Sequence, residues 1–143
     1  ADAKIWQIIA NDLCRQAVEK KQLTLKSHGL QYRNFIPFTD VCNTIRHCLF
    51  MPSELIEGTT FNLGSESTLR VLDMAELIAT RCSTSLGYKP ELNVLGASPE
   101  SLPTKFAYDS SKLQSTGLSL TTRFEDEIDR LLTACQKWFK SSQ

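Results

Sequence analysis

One segment constrains the fold more than any other. Between Phe124 and Phe139, the apolar residues Phe124, Ile128, Leu131, Leu132, Cys135, Trp138 and Phe139 recur at helical spacings. Those spacings put all of them on one side of an α-helix, so the segment predicts a helix with a broad apolar face. Thr122 and Glu125 stand where a capping box would open it. Its first turn is acidic (Glu125, Asp126, Glu127) and its last basic (Lys137, Lys140), which suits the helix dipole. Such a helix must bury its apolar side against further elements.

The rest of the chain supplies candidates in alternation. Residues 5–20 carry Ile5, Ile8, Ile9, Leu13 and Ala17 on one helical face, and Leu23, Thr24 and Leu25 alternate like a short strand before a turn at Ser27, His28 and Gly29. Residues 34–38 read as a strand that Pro37, lacking an N–H, restricts to an edge, an end or a bulge. Thr39 and Asp40 then offer an N-cap for a helix with Val41, Ile45, Cys48 and Leu49 along one side. Residues 51–59 read as a loop, and 60–64 as a strand closed by Gly64. Asp73 with Glu76 predicts a capping box, with Leu72 and Leu77 as its hydrophobic staple. Ala75, Ile78, Ala79 and Cys82 continue that helix's buried side towards Gly87. Residues 91–95 alternate like an exposed strand, and Asp109 caps a short helix through Lys112 and Leu113 that stops at Gly117. This grammar predicts an α/β fold, or α+β in isolation, with residues 1–143 forming one unit.

Composition removes several functions. The chain holds 16 basic and 16 acidic residues. Zero net charge argues against nucleic-acid binding by bulk charge and against a polybasic membrane surface. No apolar run approaches the roughly 20 residues of a membrane span. The five cysteines are odd in number and contain no C-x-x-C pair, and only His28 and His47 could join them. That argues against a disulfide framework and a metal site, and for a reducing, cytoplasmic setting. The sequence contains no P-loop, no nucleophile elbow and no G-x-G-x-x-G turn.

Tyr108-Asp109-Ser110-Ser111-Lys112 fits Y-x-x-x-K, in which a lysine one turn away lowers a phenol's pKa for acid–base work. A small self-contained enzyme built on Tyr108 and Lys112 is one reading. Against it, Asp109 as helix cap leaves Tyr108 outside the helix.

Four blocks taken in order resemble the C-terminal portion of an extended short-chain dehydrogenase/reductase, the NAD-dependent nucleotide-sugar epimerase and dehydratase family. Residues 29–36 followed by Asp40-Val41 resemble its G-x-x-x-R-D-F-I…D-V segment, and Phe61-Asn62-Leu63-Gly64-Ser65, ahead of Glu76-Leu77-Ile78, resembles Y-N-x-G-S and its helix. Asp109-Ser110-Ser111-Lys112 with Gly117-Leu118 resembles D-x-S-K…L-G, and Trp138-Phe139 its closing helix. The resemblance implies that the NAD(P) turn and the catalytic Y-x-x-x-K belong to an earlier region, so no catalytic or cofactor-binding residue is assigned here. It also implies that Arg33 contacts the diphosphate or nucleotide of a sugar substrate, since a guanidinium fork matches phosphate oxygens. Thr24, Leu25 and Lys26 stand where the family's strand passes the nucleotide base.

There are two departures: Asn34 replaces the customary Asp, and Lys105 stands near the place of a second Arg. The missing Arg favours the alternative of a non-catalytic binding or interaction module derived from this fold. Opening on Ala1 directly into a helical pattern suggests the latter part of a longer chain. The strand at Phe35 and the segment from Phe61 to Cys82 would then lack their sheet partners, and self-association through unpaired strand edges is expected.

Overall fold

The computed structural model describes residues 4–65, 68–97 and 101–139. Three long helices make the core: α1 (Ile9–Lys20), α4 (Val71–Ser85) and α6 (Phe124–Phe139). α1 packs on α6 and α4, and α4 on α6. The fully buried Leu13, Cys14, Ala17, Ile78, Cys82, Leu132 and Cys135 meet between them. Trp6 closes one end, its ring edge-on to Phe139 at 4.7 Å and to Trp138 at 5.8 Å. Lys140 of the predicted basic turn and the first three residues lie outside the described residues.

β1 (Gln22–Leu25) pairs in parallel with β4 (Glu91–Val94), Leu25 opposite Val94. A parallel pair needs a crossover, and the intervening chain supplies it through α4, which packs against both strands. β2 (Tyr32–Arg33) and β3 (Leu69–Arg70) form an antiparallel pair, Arg33 opposite Leu69. Between them run α2 (Phe38–Leu49) and the short α3 (Ser53–Ile56), and α5 (Ser111–Gln114) precedes α6. Mixed helices and a small parallel sheet give the α/β class expected.

Several local expectations are corrected. A 3-10 turn at Lys4–Gln7 and extended backbone at Ile8 break the first helix, so Trp6 turns inward and Ile5 and Ile8 face solvent. Residues 34–38 form no strand. Pro37 fixes its own φ and stands at the N-cap of α2, its carbonyl accepting from Asp40 and Val41 N–H. Asp40 is therefore not the cap but a buried carboxylate holding Thr122, whose N–H and hydroxyl donate to Oδ1 at 3.3 and 2.7 Å. The expected Thr122–Glu125 capping box therefore does not form: both Thr122 donors go to Asp40, and α6 opens at Phe124 with the Arg123 carbonyl accepting the Glu127 N–H.

The loop at 51–59 contains α3, and 60–64 is irregular, so Gly64 ends no strand. At α4 the expected box shifts by three residues. Arg70 is the N-cap, and the Asp73 carboxylate accepts its backbone N–H at 3.1 Å. Val71 and Leu72 N–H donate to Gln31 and Gly29 carbonyls, which supplies partners for otherwise orphaned helix N–H groups. Gly29 makes that turn at φ +72°, where a side chain would also meet Leu25 and Leu72. Cys42 joins Cys14, Cys48, Cys82 and Cys135 as a helical cysteine, and all five are free thiols. Among the described residues no helix is long and apolar enough to cross a membrane, and no cluster of metal-binding side chains occurs.

Candidate functional site

The scattered blocks converge in space. Asn34, next to Arg33 at the end of β2, donates from Nδ2 to the Ser65 carbonyl at 2.8 Å and accepts the Ser65 N–H on Oδ1 at 2.9 Å. Gly64 lies against both Asn34 and Tyr108: a Cβ there would fall 2.6 Å from Cε1 of Tyr108 and 2.6 Å from Asn34 Oδ1. The 106–112 segment closes from the other side. Thr68 donates to the Phe106 carbonyl at 3.2 Å, Asn62 to the Asp109 carbonyl at 3.3 Å, and Lys112 Nζ to the Thr60 carbonyl at 3.3 Å. Lys112 also stands 5.5 Å over the Phe61 ring. Asn34 and segments 60–65 and 106–112 thus meet, although irregular chain makes up most of that meeting.

Arg33 ends β2 next to Asn34. It is exposed, its Nη1 donates at 3.0 Å only to the carbonyl of neighbouring Tyr32, and it makes no ion pair among the described residues. Nearby Arg70, by contrast, is committed to Asp73, with Nε donating to the carboxylate at 3.0 Å. That bond holds the Asp73 carboxyl below its ordinary range against the opposing pull of partial burial. Asp109 is also held low, chiefly by its hydrogen bonds from Ser111, whose N–H donates at 2.9 Å.

The other candidates are differently placed. Thr24, Leu25 and Lys26 belong to β1 and its end, on the other sheet from Arg33. Thr24 N–H is taken by Gln16 Oε1 at 2.8 Å, Leu25 is a core side chain, and Lys26 is exposed. Leu25 therefore offers a passing ligand backbone only, and its carbonyl already accepts from Leu95. Lys105 is exposed beside the tethered Phe106. Tyr108 precedes α5 and rests against Gly64, while Lys112 turns to Thr60, so no contact among the described residues joins the phenol to the ammonium. Sequence reasoning does not single out Gly64 and Tyr108 as partners in one site. Their only signal is the family-like order of the blocks, which fixes what must meet without showing how.

Apart from this region, a concavity of about 400 Å³ lies between the end of α2, α3 and residues 116–119. His47 Nε2 and the Thr116 hydroxyl are 2.8 Å apart on its lining, with Phe50, Met51, Leu55 and Leu118 around them.

No protein-family profile matches the chain, and no curated protein matches it by sequence. Solved structures do match. UDP-glucuronic acid 4-epimerase from Bacillus cereus, in complex with UDP-glucuronic acid and NAD, superposes with a TM-score of 0.71 at 22% identity, covering 92% of this chain and 40% of that one. RMD from Pseudomonas aeruginosa, complexed with NADPH, gives 0.69 at 14% identity, covering 92% and 43%. dTDP-glucose 4,6-dehydratase from Bacillus anthracis, in complex with NAD, gives 0.65 at 18% identity, covering 93% and 40%. The chain spans about two-fifths of the length of these structures. Over that length it has the fold of the NAD-dependent epimerases and dehydratases of the extended short-chain dehydrogenase/reductase class.

Proposed function

We propose that this chain is the substrate-binding portion of an NAD(P)-dependent nucleotide-sugar epimerase or dehydratase. In this reading residues 1–143 are its C-terminal unit, and the cofactor turn and the catalytic Tyr and Lys lie on the remainder. The observation that carries it is the meeting of Asn34 with residues 60–65 and 106–112, next in sequence to an exposed Arg33 that makes no ion pair among the described residues, within a fold shared with such enzymes. The Arg33 fork would grip the substrate's diphosphate, with Lys26 and the β1 end at the nucleotide and Lys105 supplying a weaker second charge. This chain has no glycine-rich turn to cradle a dinucleotide pyrophosphate, so its own residues do not fit NAD(P). The cofactor, held elsewhere, would supply transient hydride removal from the sugar. The setting proposed is cytoplasmic.

Magnitudes say what the chain does alone. A charge-assisted hydrogen bond contributes about 1.5–3 kcal/mol net. Micromolar binding needs about 8 kcal/mol. Arg33 with one or two neighbours falls short without further walls. Calorimetric titration with UDP-glucose, dTDP-glucose and NAD is therefore expected to show no binding tighter than about 10 μM to the 143-residue chain. A tighter complex with any of them overturns the division of labour proposed here.

A further inference from the structure

The concavity at the end of α2 combines two kinds of lining. Phe50, Leu55 and Leu118 are apolar, while Arg46, His47 and Thr116 are polar. Its volume of about 400 Å³ lies at the small end of the roughly 300–1,000 Å³ typical of small-molecule sites, which share this mixture of apolar wall and few polar groups. No Asp or Glu lines it, and the Arg46 guanidinium makes no ion pair among the described residues. Part of the polar wall is fixed in advance. The Thr116 hydroxyl gives its one proton to the Leu113 carbonyl at 2.6 Å, so its 2.8 Å contact with His47 is a bond donated by His47 Nε2. That bond ties the imidazole on α2 to the loop that follows α5.

Charge decides the ligand. Arg46 brings one full positive charge with no acidic side chain beside it in the lining, which turns cations away and favours an anion. α2 ends at Leu49, and the carbonyl end of a helix carries about half a negative charge. A dianion such as a phosphate monoester would meet that charge with a single guanidinium to offset it, whereas one carboxylate is matched by the guanidinium fork. Phe50 and Leu55 are 84% and 50% exposed, so an apolar ligand body laid on them removes hydrocarbon surface from water. We propose that this concavity binds a small monocarboxylate with an apolar body. The carboxylate pairs with Arg46, and the body lies against Phe50, Leu55 and Leu118. None of these residues belongs to 33–34, 60–65 or 106–112, so the site is independent of the nucleotide-sugar reading.

The probes are 3-phenylpropionate and its neutral counterpart 3-phenylpropanamide, titrated into the 143-residue chain and followed by backbone amide chemical shifts. Saturable shifts are expected at Arg46, His47, Phe50 and residues 117–119, with the carboxylate binding at least about threefold tighter than the amide, the gain of one partly exposed ion pair. Arg46→Gln is expected to bring the two probes to equal affinity, and Arg46→Lys to keep part of the preference, since the charge remains without the fork. Leu55→Ser should weaken both probes together. Arg46 and Leu55 are exposed, so the urea midpoint of each variant should stay that of the parent. The proposal is overturned if neither probe gives saturable shifts below about 20 mM. Equal affinities in the parent, a preference that survives Arg46→Gln, or largest shifts at Arg33 and residues 60–65 overturn it as well. So do shifts of the same amides on diluting the chain alone, because a second copy would then fill the concavity.

Discussion

Asn34 holds Ser65 by both ends of one amide, donating to its carbonyl at 2.8 Å and accepting its N–H at 2.9 Å. The pairing imitates a strand ladder where Pro37 and the irregular 60–64 segment prevent a real one. It also accounts for asparagine where the related pattern has aspartate: a carboxylate has no proton for the Ser65 carbonyl. Asn34→Asp is expected to lose the donated bond and set two oxygens against each other. The cost should be about 1–3 kcal/mol, as for a polar group left without its partner. Urea unfolding reads it, with Asn34→Ala as the control that removes the bonds without adding charge. Equal stability of Asn34→Asp and the parent would show that the pairing contributes nothing.

Gly64 has no room for a side chain. Its neighbours on that side are the Tyr108 ring and the Asn34 amide, each with an atom 2.6 Å from where a Cβ would stand. Tyr108 is 38% exposed and can swing away, but Asn34 cannot move without releasing Ser65. Gly64→Ala should therefore cost about 1–3 kcal/mol, the usual range for overpacking. Tyr108→Ala in the same chain should restore only part of that, and a double-mutant cycle measures the share. Full restoration would mean that the ring alone sets the spacing.

These two contacts show why the fold is more legible than the site. Periodicity reports which side of an element is apolar, and α4 and most of α6 obey it: Ala75, Ile78, Ala79, Cys82, Ile128, Leu132 and Cys135 are buried, whereas Trp138, read on the same face of α6, is exposed. The same signal misleads at α2: of the stripe Val41, Ile45, Cys48 and Leu49, the first and third are half-buried, Ile45 and Leu49 are exposed, and the side chains that α2 buries are Asp40 and Thr44. It misleads again at residues 5–8, where a 3-10 turn changes the angular step between side chains. The convergence of Asn34, Ser65, Gly64 and Tyr108 depends on contacts between residues some thirty or more positions apart, which no local pattern encodes.

Arg33 is expected to matter for binding and not for folding. Its side chain is exposed and its sole hydrogen bond among the described residues runs to an adjacent carbonyl, so Arg33→Ala should shift the urea midpoint by less than about 0.5 kcal/mol equivalent. In the polypeptide from the complete reading frame, the same change should weaken nucleotide-sugar binding about 10- to 150-fold, the equivalent of one charge-assisted bond. Arg33→Lys should recover part of that, keeping the charge but not the fork. Unchanged affinity in Arg33→Ala removes the residue from the site.

Acid should loosen the packing of α4 on α6. The Arg81 guanidinium donates to the Asp129 carboxylate, with Nε at 3.0 Å, and Ser85 adds a bond at 2.8 Å. Those bonds, Arg81's first, hold the Asp129 carboxyl below its ordinary value, with partial burial opposing them. A carboxyl whose folded pKa is depressed contributes stability above its unfolded value, about 3.9, and loses that contribution as pH falls through the lower folded value. Asp129→Asn should therefore lower stability at pH 7 and flatten the acid limb of the stability profile below about pH 4. Parallel acid limbs in the two proteins would show that Asp129 is not a linked group.

The five thiols should separate sharply in reactivity, because the helix layer that makes the core also hides most of them. Cys14, Cys82 and Cys135 lie buried where α1, α4 and α6 meet, whereas Cys42 is exposed on α2. Loss of hydration pushes the Cys82 and Cys135 thiols up to about 11, and Cys14 is raised by burial and by its neighbouring thiols. At pH 8 a thiol of that kind is thiolate about one time in a thousand, and the thiolate is the nucleophile. Iodoacetamide followed by peptide mass spectrometry should modify Cys42 at least 100-fold faster than the three core cysteines, which should react only through unfolding. Adding urea below the transition should then leave the Cys42 rate almost unchanged while raising the other three together. Core cysteines that label independently of one another would mean that the three helices open separately instead of as one cooperative layer.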